Sequence, residues 1–376
     1  MKLGKFKLKH YINYIVIGIL TSALAGIVFT GGRLDNSTLF LLEKMTISII
    51  LAVSLSLVVG FLGELSLGHA GFMCVGAYIG GKVASLLVPT MGNDIGAFLI
   101  SLVIGGAAAA VCGIIIGIPA LRLRGDYLAI VTLAFGEIVK SLFMNSSDES
   151  FGGSLGLSTP RYDKHYLFII GFVLVLLTLF VVQNLMRSKH GRAITAIRDN
   201  EIAARATGTN VTKYKLLAFT LSAMFAGIAG VLYSYSNYTV QSMKFGYNYS
   251  IEILVMVVLG GMGNINGSII AAALITYLNT KLATVLTGDL AVLQNLLYAL
   301  ILIVIVIYNN APALKGFRDK YSISAFIEKR KKVHDPSNIN DDKAKWDVVP
   351  TKISMDDILS VDMKPQDIIY RDGGNK

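Results

Sequence analysis

The sequence predicts an all-α, polytopic membrane protein, and three observations support this fold class. Hydrophobic residues make up 54% of the 376 residues and charged residues only 15%, whereas soluble chains carry about 25% charged residues. The mean hydropathy is +0.62. Apolar runs recur along the chain at close to the 20 or so residues of helix that cross a hydrocarbon layer of about 30 Å. We therefore expect a multi-pass protein of the cell membrane rather than a cytosolic enzyme.

Charges, prolines and Gly/Asn/Asp clusters divide the apolar sequence into about ten candidate transmembrane helices. The ten segments are residues 11–29, 39–62, 69–88, 95–119, 127–144, 165–186, 214–235, 250–262, 268–286 and 290–308. Glycines thin the third segment, ionisable residues interrupt the fifth, and the eighth is short. Some of the ten are therefore expected to be broken or re-entrant.

The distribution of positive charge predicts the orientation of these segments. With both termini in the cytoplasm, 26 of the 34 lysines and arginines fall in inner segments and four fall in outer loops. This asymmetry is the positive-inside pattern. The formal net charge of +10 is thus interpreted as a topology signal. Nucleic-acid binding is not expected, because no basic segment is interleaved with aromatic residues.

Both ends of the chain carry compositional signals. The apolar run after the basic N-terminus continues past a small-residue site that resembles a signal cleavage site, so an uncleaved first helix is predicted. Residues 1–314 are predicted to form the transmembrane domain, and residues 315–376 a flexible, charged cytoplasmic tail. The basic run at 329–332 is expected to contact anionic membrane lipids.

The sequence offers no recognisable catalytic or metal-binding constellation. It contains no G-x-x-x-x-G-K-[ST], H-E-x-x-H or C-x-x-C motif, and its five histidines do not cluster. Both cysteines, Cys74 and Cys112, lie in apolar runs. The chain is therefore predicted to be no enzyme and to bind no metal or cofactor, and uphill transport would need energy from a partner or from an ion gradient.

Two glycine-rich segments, residues 63–71 and 259–267, lie at predicted cytoplasmic helix ends. Small residues at three- and four-residue spacing let helix backbones approach closely, and glycine with serine permits a broken helix. Tight packing alone also explains any single glycine. The candidates for a translocation path or gate are Gly68, Gly71, Gly260, Gly261 and Gly263.

A third segment, residues 121–138, places ionisable and polar groups in an apolar span. Glu137 follows Asp126 by eleven residues, which is roughly 16 Å along a helix. A carboxylate at that depth faces a partner or a watery cavity. Glu137 is expected either to pair with Lys140, one helical turn away, or to line the solute path. Thr132 is a further path candidate, although a buried threonine commonly bonds its own backbone.

The fourth segment is a long cytoplasmic loop, residues 187–213, with the pattern of a short amphipathic helix. Asp199 or Asn200 can cap a helix over residues 201–206 that ends near Gly208. Such a helix fits a groove on a soluble partner, or it lies on the lipid headgroups. The candidate docking residues of this loop are Arg192, Arg198, Asp199, Glu201, Ala203, Ala204 and Gly208.

Taken together, these segments resemble the LivM-type membrane subunit of branched-chain amino acid ABC importers. The resemblance rests on residues 63–71, 121–138, 152–157, 191–210 and 259–267, and therefore extends over about residues 40–310. The loop also looks like the Glu-Ala-Ala…Gly coupling loop of ABC permeases, with one extra residue after Glu201. The tail after residue 315 matches nothing in the family.

The resemblance implies a permease subunit that forms the path for leucine, isoleucine and valine. The implied partners are a second, LivH-type permease, two cytoplasmic ATPases that bind ATP and Mg²⁺, and an extracytoplasmic binding protein. An apolar path is equally compatible with other amino acids, urea or small amides. A proton-coupled secondary transporter that uses Glu137 remains the alternative from another class.

Overall fold

The computed structural model describes residues 35–91, 94–123, 125–160, 164–285, 299–300 and 303. All of them belong to the first of two units into which the chain divides, Met1–Asn309. The predicted first span, most of the predicted tenth span and the predicted cytoplasmic tail lie outside the described residues.

Helices dominate the part of the chain that the structure describes. In chain order they are α1 (Asn36–Ser56), α2 (His69–Met91), α3 (Asp94–Ala120), α4 (Asp126–Met144), α5 (Asp148–Phe151), α6 (Lys164–Arg187), α7 (Lys189–Asp199), α8 (Glu201–Ala206), α9 (Val211–Ser236), α10 (Tyr247–Gly260) and α11 (Ile265–Val285). A π-helical turn, Leu57–Leu62, extends α1, and two-residue strands β1 (Leu157–Ser158) and β2 (Thr239–Val240) pair antiparallel.

The eight predicted spans that fall within the described residues all coincide with helices. Six described helices are long and apolar enough to cross a membrane, namely α1 with its π turn, α2, α3, α4, α6 and α9. Helix α10 is apolar but has only 14 residues, about 21 Å, and is shorter than a hydrocarbon layer of about 30 Å. The all-α membrane class is thus confirmed, while the count of ten spans and their orientation stay predictions.

Close approach of helix backbones organises the core. Helix α9 lies against α2 and α3, which also lie against each other. The backbones of Gly76 in α2 and Gly227 in α9 leave no room for a Cβ between them. Small residues allow the two backbones to approach this closely. Close approach stabilises the helix pair because dispersion contacts, rather than the hydrophobic effect, hold helices together within lipid.

The connection between α1 and α2 is a break in the α-helical hydrogen-bond pattern. The π turn ends at Gly63, whose φ of 79° is left-handed, and residues 63–68 are irregular. Two other helices supply the missing partners at the far side of this break. The Leu67 N–H donates to Thr132 Oγ1 at 3.0 Å, and the Ala70 N–H donates to Ser250 Oγ at 3.1 Å.

A second segment without α-helix, residues 237–246, follows α9 and buries part of its length in the bundle. Val240 and Phe245 are buried, and the Val240 carbonyl accepts a hydrogen bond from the Tyr78 hydroxyl at 3.0 Å. The Tyr78 ring in turn stacks on Phe143 of α4, with centroids 4.2 Å apart. Irregular backbone is tolerated among membrane helices where protein surrounds it in this way.

We predict that Gly76→Ala destabilises the chain, because its methyl group would overlap the Gly227 backbone. Overpacking of a rigid contact costs about 1–3 kcal/mol, so the melting temperature in mild detergent should fall by several degrees. Gly136→Ala is the matched control, since its nearest neighbour would lie at 3.7 Å, an ordinary contact distance. Equal melting temperatures for the two variants would contradict the proposed packing.

Candidate functional site

Two short helices, α7 and α8, form the predicted cytoplasmic loop. The Ser188 side chain caps α7 by accepting from the His190 and Gly191 N–H groups. The Asn200 side chain caps α8 by accepting from the Ala203 N–H at 3.0 Å. The predicted short helix over residues 201–206 is confirmed, and Asn200 rather than Asp199 is its cap. Gly208 follows the helix in a left-handed conformation, with φ of 82°.

The apolar side of this loop faces the protein's own helices. Ile194, Ile197 and Ala204 are buried. The surface left for a partner is on α8, where Ile202 is 75% exposed and Ala203 is also exposed. On α7, the side chain of Arg192 is exposed as well. Of the two predicted alanines, only Ala203 is therefore available for contact with another molecule.

Glu201 turns inward and joins an ion bridge centred on Lys215 of α9. Lys215 Nζ lies 2.5 Å from Glu64 Oε1 and 3.3 Å from Glu201 Oε2. The Lys215 side chain is only 4% exposed, against 13% for Glu64 and 21% for Glu201. The second oxygen of Glu201 accepts from Arg205 Nη2 at 2.9 Å. One buried ammonium thus ties α8 to α9 and to the break before α2.

Arg198, at the end of α7, makes a second link to the same region. Its Nη1 donates to the Gly60 carbonyl in the π turn at 3.2 Å, while Nε and Nη2 donate to Asp199 Oδ1. The Arg198 side chain also fills the space beside Gly63, because a Cβ on Gly63 would lie 2.7 Å from Arg198 Cγ. Asp199 therefore orients Arg198 toward the helix break.

The second glycine-rich segment packs on the same π turn. A Cβ on Gly60 would lie 2.5 Å from the Gly263 N atom, so the two backbones touch. Gly261 and Gly263 have φ values of 90° and 81°, which the tight turn between α10 and α11 requires. Gly260 packs against the backbone of Gly267 at the start of α11.

Three of the four predicted segments therefore meet at one place, which we call the coupling junction. We define the coupling junction by Gly60, Glu64, Arg198, Glu201 and Lys215. Sequence reasoning identified Arg198 and Glu201 but missed the roles of Glu64 and Lys215. A signal was present, because both are charged residues at the ends of apolar segments and buried charges require partners.

Gly68, Gly71 and Thr132 lie at the crossing of α2 and α4, apart from the coupling junction. A Cβ on Gly71 would lie 2.8 Å from the Cα of Gly136, and Gly68 packs directly on the Thr132 carbonyl. Thr132 is fully buried, and its hydroxyl donates to the Ala129 carbonyl at 3.0 Å while accepting from Leu67. These residues hold the start of α2 against α4.

Glu137 connects α4 to the first residue of α10. Its Oε2 lies 2.6 Å from Lys140 Nζ, as predicted for a pair one turn apart. Its Oε1 accepts the Tyr247 N–H at 2.9 Å. The first N–H groups of a helix have no partner within the helix and carry partial positive charge. Glu137 thus stabilises the start of α10, a role that sequence reasoning did not anticipate.

Comparison with known proteins places the sequence in a family. Residues 37–307 match the family described as branched-chain amino acid transport system / permease component. The chain is similar to the high-affinity branched-chain amino acid transport system permease protein LivM of Salmonella typhimurium, with 38% identity over 276 residues, 65% of this chain and 62% of the relative.

Other relatives extend this comparison. The LivM protein of Escherichia coli K12 is 37% identical over 292 residues, 69% of this chain and 66% of the relative. The ribose import permease protein RbsC of E. coli K12 is 27% identical over 80% of this chain and 93% of its own length. The matches thus span slightly less than two thirds of either LivM relative. No solved structure matches the chain.

We predict that Lys215→Met destabilises the chain, because it removes the cation that both Glu64 and Glu201 contact. Removing one partner of a buried ion pair costs about 3–5 kcal/mol. In a double-mutant cycle read by thermal unfolding, Glu64→Gln combined with Lys215→Met should recover part of this loss. Additive effects of the two substitutions would show that the ammonium and the carboxylate are not coupled.

We also predict that the start of α10 depends on the acceptor at position 137. Glu137→Leu removes the partner of the Tyr247 N–H, whereas Glu137→Gln keeps an oxygen at that place. Loss of a helix cap costs about 1 kcal/mol. Hydrogen exchange, followed by mass spectrometry, should accelerate at the first turn of α10 in the leucine variant and much less in the glutamine variant. Equal exchange in both variants would argue against capping.

Proposed function

Since the chain belongs to the family of branched-chain amino acid transport permease components, we propose that it is the membrane-spanning permease subunit of an ABC importer for leucine, isoleucine and valine. The names of the LivM relatives support this substrate class. The coupling junction is the observation that carries the proposal. It joins the exposed helix α8 and the end of α7 to a break between two membrane helices, through the ion bridge of Lys215 and the hydrogen bond from Arg198 to the Gly60 carbonyl.

The proposal includes partners that supply energy and solute. A second, LivH-type permease would complete the path, two cytoplasmic ATPases would bind ATP and Mg²⁺, and an extracytoplasmic binding protein would deliver the solute. The chain itself would hydrolyse no ATP. In the finer architecture that we propose, residues 1–314 form ten spans with both termini in the cytoplasm, and residues 315–376 form a charged tail.

The coupling junction suggests how nucleotide-driven motion would reach the membrane. A partner ATPase would contact the outward residues of α8, Ile202 and Ala203. Movement of α8 would pull on Lys215 through Glu201, and Lys215 would pass this displacement to Glu64. Glu64 lies in the irregular segment between α1 and α2, where a rotation would disturb fewer helical hydrogen bonds than it would in a continuous helix. Gly68, Gly71 and the turn at Gly263 are the proposed hinge positions for alternating access.

The alternatives differ in what drives transport and in what is carried. An importer of the same architecture for urea, small amides or other amino acids would use the same coupling junction. A proton-coupled transporter would need Glu137 to titrate during transport, yet one of its oxygens bonds Lys140 within α4 and the other accepts the first N–H of α10. Uptake by proteoliposomes that lack ATPases, collapsing with the pH gradient, would favour the proton-coupled mechanism.

We predict that Ile202→Asp uncouples the importer without unfolding the permease. The side chain is 75% exposed, so a carboxylate is tolerated in the isolated subunit but not in an apolar docking contact. Solute-stimulated ATP hydrolysis and uptake by the reconstituted complex should fall at least about tenfold, at an unchanged melting temperature. Leu123→Asp, at an exposed leucine shortly after the end of α3, is the control. Wild-type coupling in Ile202→Asp would refute docking through α8.

A further inference from the structure

A cavity of about 560 Å³ lies at the end of the helix bundle opposite the coupling junction. It is lined by the first half of α1, the end of α9, the segment that carries Lys244, the start of α10 and the second half of α11. Tyr233, which lines it, follows Lys215 by 18 residues in the same helix, a distance of about 27 Å. Pockets that bind small molecules typically measure about 300–1,000 Å³.

Charges of both signs face this cavity. Lys44, Lys244 and Glu252 line it, and the charge of Lys44 interacts with those of both other residues. Ionisable groups on membrane helices normally face a partner or a water-filled site, and they mark substrate pathways. Two lysines and one glutamate line the cavity, so a ligand can place a negatively charged group next to the lysines. Glu252 can bind a positively charged group of the same ligand.

Neighbouring side chains hold these charges in position. Asn279 Nδ2 donates to Glu252 Oε1 at 3.0 Å. Lys44 Nζ lies 4.6 Å from the centroid of the Phe40 ring, a cation–π distance. Phe40 and Ile47 add apolar surface to the same cavity.

A buried hydroxyl provides an independent sign of a ligand. Thr276 lines the cavity and is 6% exposed, yet its Oγ1 has no hydrogen-bond partner among the described residues. A polar group buried without a partner is costly, and in native structures it is commonly satisfied by water or by a bound molecule. The Thr276 hydroxyl is thus available to a ligand that enters the cavity.

We propose that this cavity binds one zwitterionic α-amino acid on its way through the permease. The carboxylate would lie between Lys44 and Lys244, the ammonium group would bind Glu252 and Thr276, and an aliphatic side chain would contact Phe40 and Ile47. This inference rests on the proposed function and deepens it. Charges of both signs in one cavity favour a zwitterion over urea or a neutral amide, because only the zwitterion forms charge-assisted contacts with both the lysines and Glu252.

The first test uses the wild-type complex in nanodiscs, without binding protein, and measures binding of radiolabelled L-leucine. Three competitors isolate the charges: 4-methylpentanoate lacks the ammonium group, 3-methylbutylamine lacks the carboxylate, and 3-methylbutanamide is neutral. Each should compete at least about tenfold more weakly than L-leucine, since charge-assisted hydrogen bonds are the strong ones. Equal or stronger competition by the amide would overturn the proposal.

The second test locates the site with variants and matched controls. Lys44→Met, Glu252→Gln and Thr276→Val should each weaken L-leucine binding, the two charge variants by at least about tenfold. Lys281→Met on α11 and Glu149→Gln in the exposed α5 lie outside the cavity and should bind normally. In a background with Cys74 and Cys112 replaced by alanine, L-leucine should protect Thr280→Cys, but not Lys281→Cys, from a methanethiosulfonate reagent.

The outcomes separate this inference from the proposed function. ATP-driven leucine uptake with neither binding nor protection at the cavity would overturn the site and leave the permease function standing. Leucine binding that depends on Lys44 and Glu252, without ATP-driven uptake, would support the site and refute the importer.

Discussion

An ammonium group among apolar helices is tolerated only next to anions, and Lys215 meets this requirement with two carboxylates. Glu64 lies 151 residues before Lys215 in the chain, and Glu201 lies 14 residues before Lys215. The ion bridge therefore joins segments that are far apart in the sequence. Because the Lys215 side chain is 4% exposed, water cannot replace either partner without opening the structure. This one contact therefore links α8, α9 and the break before α2.

The second constraint is that backbone N–H and C=O groups within the membrane need hydrogen-bond partners in the protein. Residues 63–68 are irregular, and Thr132 and Ser250 supply acceptors for the N–H groups of Leu67 and Ala70. The break is therefore anchored at its far side by α4 and α10, and at its near side by Arg198 and Lys215. A segment held at both ends but irregular between them can turn as a unit, which a continuous helix cannot do.

The apolar runs predicted the helices well, because the thickness of the membrane sets the length of a span and excludes most charged residues from it. The cap of α8 was also predictable, because Asn200 lies directly before a short run of residues that favour the α-helix. Side-chain partners were not predictable: Glu201 was expected to face an ATPase but turns inward, and Glu137 caps a helix 110 residues away. Glu252 and Lys44 carried a readable signal as charges inside spans, whereas nothing in the sequence singled out Thr276 or Asn279.

The short helix α10 has a consequence for how the protein is made. Its 14 residues are too few to partition into lipid as an independent span, and its first N–H finds an acceptor on α4. The acceptor of that N–H therefore lies in a helix that precedes it by 110 residues, while α11, against which α10 also packs, follows it in the chain. The bundle thus holds this sub-length helix between neighbours that are synthesised before and after it.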